Sequence, residues 1–156
     1  EFGLLGAQAW VKAHKDKLPK IANLFNRDGG PEPPVGISVP QAMYDDFVKI
    51  SEPIQKIRPD YPFEVKVREP RKRPTRMGGT DASVFAIEGV PTLGFTTEDF
   101  KGYDFDYGEI WHTERDLYTK NIPEYQEHTA TVTAIIALGV ANLDKQLSRE
   151  GLYTEE

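Results

Sequence analysis

The strongest constraint on the fold is a change of hydrophobic period along the chain. Val132, Ile136, Val140, Leu143 and Leu147 recur every three or four residues, which places them on one face of a long helix. Pro123 fits the first turn of that helix, where a missing N–H costs nothing. In other stretches the apolar residues come in short runs or in strict alternation. Ile21, Ala22, Leu24 and Phe25 form a nearly continuous apolar run, which predicts a buried strand over 20–25. Phe63-Glu64-Val65-Lys66-Val67 alternates, which predicts a half-exposed strand at a sheet edge. Helices alternating with short strands indicate an α/β domain, with three α/β/α layers around a mostly parallel or mixed central sheet.

The remaining elements follow from the same rules. Leu4, Leu5, Trp10 and Val11 give a helix over 4–14 its apolar face, and Pro19 closes that segment. Ile37 and Val39 suggest a short strand. Met43, Phe47, Ile50 and Ile54 stand at helical spacing over 41–57, with Pro53 predicting a kink or a second start. A side-chain oxygen of Thr80 or Asp81 can cap a short helix through Ile87, and Gly89 ends it. A strand is expected over 91–96 and an aromatic-rich loop over 100–111.

A chain of 156 residues is large enough for one domain with its own core, and 38% hydrophobic with 28% charged residues is ordinary for a globular protein. A net charge of -6 argues against nucleic acid as the main partner, because phosphate binding needs a basic surface. The one basic run, Arg68 to Arg76, sits in a Pro-rich loop and reads as solvated surface. The absence of cysteine excludes disulfides, thiol catalysis and thiolate metal sites. No apolar stretch reaches the roughly 20 residues of a membrane span, and no signal peptide is visible.

Several side chains are candidates for chemistry. His112 lies in a polar loop with Asp116 nearby; a neutral imidazole binds zinc, and a carboxylate can fix its tautomer. The same histidine also reads as a loop residue bonded to backbone. Asp28 follows the expected strand and precedes two glycines, a place where open α/β sheets gather their ligands, or else a simple turn. Asp81 reads both as a helix cap and as a residue shaping a site loop. Glu1 reads as an end residue. His14 reads as solvated and His128 as surface or packing. Arg73 and Arg76 could meet a substrate carboxylate, though a solvated loop accounts for them as well.

Taken in order, the motifs resemble those of the co-catalytic zinc metallopeptidases, which include leucyl-type aminopeptidases, plasma glutamate carboxypeptidase and transferrin-receptor-like proteins. The residues that carry the resemblance are Glu1-Phe2-Gly3-Leu4-Leu5-Gly6, Asn26-Arg27-Asp28, Gly79-Thr80-Asp81 with Phe85, Gly89-Val90-Pro91, and His112-Thr113-Glu114-Arg115-Asp116. They span most of the chain, from Glu1 to about Leu147. The resemblance implies two zinc ions and hydrolysis of a peptide substrate by a metal-activated water. It implies Glu1 and His112 as ligands of one zinc and Asp28 as a ligand of the other. Thr80, Asp81 and Asp116 fall in the supporting or substrate-binding loops. Ala82 stands where the family often has His.

The resemblance also implies that the general-base Glu belongs directly before Glu1, with further ligands upstream. The chain then reads as the C-terminal portion of one catalytic domain, with its sheet incomplete at the N-terminus. On its own it is expected to bind zinc weakly, to lack peptidase activity and to self-associate through exposed sheet edges. A secreted or periplasmic location is implied by the family. Two other readings remain open: a non-catalytic interaction module on a peptidase-like fold, and a metal-free hydrolase using Asp28 and Asp81 as acid and base.

Overall fold

The computed structural model describes residues 3–154. The elements run α1 (Leu5–Ala13), β1 (Pro34–Val39), α2 (Tyr44–Ile57), β2 (Glu64–Val67), α3 (Asp81–Ile87), β3 (Phe95–Thr97), α4 (Tyr107–Ile110) and α5 (Pro123–Ala141). Tight 3-10 turns occur at Leu18–Lys20, Gln41–Met43 and Tyr118–Lys120.

Among the described residues the sheet has three strands in the order β2-β1-β3, with β1 parallel to β2 and antiparallel to β3. It is the small mixed sheet of an incomplete α/β fold. Gly36 is dictated by this pairing, because a Cβ there would strike the Glu64 carbonyl oxygen on β2. Phe47, Ile50 and Ile54 of α2 and Val132 and Ile136 of α5 join Ile37 and Val39 of β1 in one buried cluster. Gly139 lets α5 close on α2: a Cβ there would run into Ile50, whose Cγ1 would lie 3.0 Å away. A second cluster gathers Val11 of α1, Leu18, Val84 and Phe85 of α3, and Val90.

Segment 20–25 lies between the two clusters. Ala22 and Phe25 pack on the first, Ile21 and Leu24 on the second. Against the buried strand its apolar run predicts, Ile21 to Phe25 are only half-buried, Lys20 is exposed, and the segment forms no strand ladder. Leu24 N–H donates to the Pro91 carbonyl at 2.9 Å. The Asn23 carboxamide then accepts the Leu93 N–H at 2.8 Å and donates to the Leu93 carbonyl at 3.2 Å. A side chain stands where a backbone rung would be. This also shortens the strand expected over 91–96 to β3: Pro91 has no N–H, and both main-chain groups of Leu93 are engaged by Asn23.

Other departures are local. Helix α5 ends at Ala141, and Leu147 reaches the core from an irregular segment beyond it. Helix α2 runs through Pro53 unbroken, preceded by the 3-10 turn at Gln41–Met43. The aromatic-rich loop contains the short α4, whose first N–H groups are met by Asp106, accepting from Gly108 N at 2.8 Å. Thr80 occupies the N-cap position of α3 without a side-chain capping bond, and Gly89 ends that helix at φ 77°. Segment 147–154 returns across the molecule, burying Leu147 and Leu152. There the Arg149 guanidinium donates to the carbonyls of Gly89 (3.2 Å), Leu18 (3.1 Å), Pro19 (3.3 Å) and Ile21 (3.1 Å).

Candidate metal centre

Asp28 leaves the half-buried 21–25 segment on a turn built by its neighbours. Asn26 Nδ2 donates to Asp28 Oδ2 at 2.8 Å, and Gly30 N–H donates to the Asp28 carbonyl at 3.1 Å. The half-buried Arg27 guanidinium donates to the Gly30 carbonyl at 2.8 Å and to the Glu32 carbonyl. Burial lowers the Arg27 pKa, and Glu32 partly offsets this. The result is an exposed carboxylate on a braced turn.

His112 follows α4 and takes φ 56°, the left-handed region that L-residues other than Asn, Asp and His seldom enter. The turn is held on both sides. Trp111 N–H donates to the Tyr107 carbonyl at 2.9 Å, Thr113 N–H to the Ile110 carbonyl at 3.0 Å, and Thr113 Oγ1 to the Glu109 carbonyl at 2.8 Å. The Trp111 and His112 rings lie 4.7 Å apart at 31°. A backbone kept in a sparsely populated conformation by its surroundings is a frequent mark of a functional position.

These two loops meet across one open cleft of about 950 Å³. Asp28, His112, Thr80 and Asp116 all line it. Asp81, the first residue of α3, is not among the lining residues, and Glu1 lies outside the described residues. The structure therefore brings Asp28 and His112 to one cavity although they are far apart in sequence. Lys120 Nζ pairs with Glu109 Oε2 at 2.8 Å and ties α4 to the turn at Tyr118–Lys120 on the far wall. Gln126 and Thr129 of α5 complete that wall. The rim carries exposed Trp111, Leu117 and Tyr118.

The sequence reading did not single out Arg27, Lys120, Gln126 or Thr129. Gln126 and Thr129 are polar positions three apart on a mostly apolar helix, and that spacing was the one available signal. His14, His128 and Arg73 have structural roles. His14 stacks on Trp10 at 4.5 Å and donates Nδ1–H to its carbonyl, so it is less free than expected. His128 is fully buried and stacked on Tyr61 at 4.0 Å. Arg73 donates to the Ile87 carbonyl at the end of α3.

An aspartate and a histidine carried to one cleft by the loops of an α/β layer is an arrangement that metal-dependent hydrolases use. The sequence profile of Peptidase family M28 matches residues 1–136. The chain belongs to that family of co-catalytic zinc metallopeptidases. Among solved structures, a Peptidase M28 precursor from Shewanella amazonensis SB2B superposes with a TM-score of 0.68 at 24% identity. The overlap covers 95% of this chain and 30% of that one, so this chain spans under a third of that protein's length. The likeness shows a shared fold. No curated protein matches.

Among the described residues no group of three or more His, Cys, Asp or Glu side chains could hold a metal ion. Asp28 and His112 supply a carboxylate and an imidazole to the same cavity, a donor chemistry that suits zinc. They fit zinc as part of a ligand set that needs further donors.

Proposed function

We propose that this chain forms one wall of the active cleft of a zinc-dependent exopeptidase of aminopeptidase-like character. The observation that carries the reading is the meeting of Asp28 and His112 in one cleft. Zinc bound there would supply a Lewis acid that polarises a scissile carbonyl and acidifies water. In this reading Asp28 and His112 are donors, with Glu1 the third, and the ions are two. The Asn26 and Arg27 bonds orient Asp28, and the turn after α4 holds the His112 ring over the cavity. Trp111, Leu117 and Tyr118 present apolar surface to a peptide lying in the cleft. An exported location is proposed as well; the family resemblance supports it, and the Shewanella protein is itself described as a precursor. Among the described residues no helix is long and apolar enough to cross a membrane.

Calorimetric zinc titration of the chain tests the reading, with Asp28→Asn and His112→Ala beside it. Weak binding is expected, further reduced by each substitution. In the gene product that carries these residues, hydrolysis of dipeptide amides should vanish with a chelator and return with zinc. The 156 residues alone should show no turnover, because Asp28 and His112 do not by themselves complete a zinc site. Binding indifferent to both substitutions would overturn the assignment and favour a non-catalytic module.

A further inference from the structure

Both candidate donors sit on irregular loops, yet one carboxylate outside the cleft lining ties those loops to α5. Asp99 Oδ1 accepts the Tyr125 hydroxyl at 2.6 Å and the Tyr103 N–H at 3.0 Å, and the N–H groups of Asp104 and Phe105 also turn toward this carboxylate. Asp104 takes φ 55°. A left-handed residue of this kind lets successive N–H groups converge on one anion. Tyr125 is fully buried, and its oxygen also accepts the Lys101 N–H at 3.0 Å. The phenol therefore donates to the Asp99 side chain and accepts from the main chain two residues on, pinning the start of the loop. Glu124 reinforces the grip, accepting from Lys101 Nζ at 2.6 Å, from the Tyr61 hydroxyl at 3.0 Å and from the Tyr103 hydroxyl.

The chain beyond this anchor reaches both donors. The Phe105 and Tyr107 rings lie over Gly30: a Cβ on that glycine would fall 2.8 Å from Phe105 Cζ and 3.4 Å from Tyr107 Cδ2. Gly30 is the residue whose N–H and carbonyl brace the Asp28 turn. Tyr107 then begins α4, and the helix delivers Trp111 and His112.

We propose that Asp99, held by Tyr125, is a positioning residue for both candidate zinc donors: it fixes the loop whose rings seat the Asp28 turn and whose continuation carries His112. The inference rests on the zinc reading. The chemistry of the pair suits a permanent anchor. The Tyr125 bond holds the Asp99 carboxyl below its ordinary value, aided by the backbone N–H groups and opposed by burial. Burial, with the Asp99 bond, pushes the Tyr125 phenol up to about 12. Acceptor and donor thus keep their roles across the neutral range.

The test uses the 156-residue chain. Tyr125→Phe keeps the ring contacts with Phe100 and Tyr103, at 6.0 and 5.2 Å, and removes the hydroxyl alone. Asp99→Asn keeps an acceptor for Tyr125 but puts an amide donor where backbone N–H groups converge. Glu127→Gln, on the exposed side of α5, is the control. Hydrogen exchange read by mass spectrometry needs no metal. Both anchor variants should speed exchange over 103–113 and also over 26–31, which neither substituted side chain touches. Zinc titration should show about tenfold weaker binding, the scale seen when a residue orienting a ligand is lost. The control should change neither. Unchanged exchange over 26–31 in a folded Tyr125→Phe variant overturns the inference, as does unchanged zinc affinity; if that variant does not fold, Asp99→Asn decides by the same readings. If zinc binding in the unsubstituted chain ignores Asp28→Asn and His112→Ala, the zinc reading has failed. The exchange result then separately reports whether Asp99 joins the two loops.

Discussion

Asn23 carries a prediction that follows directly from the missing backbone rung. Its carboxamide makes two hydrogen bonds to Leu93, at 2.8 and 3.2 Å, and Leu93 is 3% exposed. Asn23→Ala removes both bonds and leaves the Leu93 N–H and carbonyl without those partners. Each bond contributes about 1 kcal/mol net, and each buried group left unsatisfied costs about 1–3 kcal/mol instead. Partial entry of water at the half-buried site favours the lower end, so the expected loss is about 2–3 kcal/mol. With a urea slope of about 2 kcal/mol/M, the unfolding midpoint should fall by roughly 1 M. Asn23→Asp should lose at least as much, because a carboxylate still accepts the N–H but faces the Leu93 carbonyl oxygen with no proton to offer. Equilibrium urea unfolding followed by circular dichroism measures both. A loss below about 0.5 kcal/mol in Asn23→Ala would refute the claim that this side chain replaces a stabilising rung.

Gly139→Ala should destabilise by about 1–2 kcal/mol: overpacking against Ile50 costs more than the helix-propensity gain of about 1 kcal/mol. A higher melting temperature in that variant would contradict the close approach of α2 and α5. Gly30→Ala should cost about 1–3 kcal/mol and weaken zinc binding, since position 30 has φ 71° and the Phe105 ring lies over it; unchanged thermal and zinc-binding profiles would argue against the seat described for Asp28. His128 should make stability fall in acid. Burial is the main cause that lowers its pKa below the ordinary 6.5, opposed by its bond to the Pro34 carbonyl. The unfolded chain therefore takes up a proton first as pH drops. The stabilising contribution is complete above about 6.5 and is lost as pH falls toward the folded value. Comparing melting temperatures between pH 7.5 and 5 should show a steeper decline for the native chain than for His128→Gln, and parallel slopes would refute the assignment.

Helices α2 and α5 are legible in the sequence because each buries one stripe, and a stripe leaves a period. The 20–25 segment is legible only in part. Ile21, Ala22, Leu24 and Phe25 announce contacts on two faces, and the structure gives the contacts but only half-burial. Periodicity does not tell whether the main-chain groups will find strand partners, and here Asn23 and Pro91 decide the outcome. For the cleft, Asp28 and His112 stand out by the order and type of their neighbours. Arg27, Lys120, Gln126 and Thr129 do not, because their place on the walls depends on how α4 and α5 approach the Asp28 turn. Of the adjacent candidates Thr80 and Asp81, Thr80 lines the cleft while Asp81 begins α3.

The four carbonyls gathered by Arg149 lie on two separate stretches, three around the first 3-10 turn and one at the end of α3. A single planar cation thus closes a circuit through almost the entire polypeptide. Neither extremity can peel away as an independent unit without leaving that cation beside empty oxygens, or the oxygens beside nothing. Arg149→Met should therefore speed hydrogen exchange around 18–21, far off in sequence, and unchanged exchange there would refute the link.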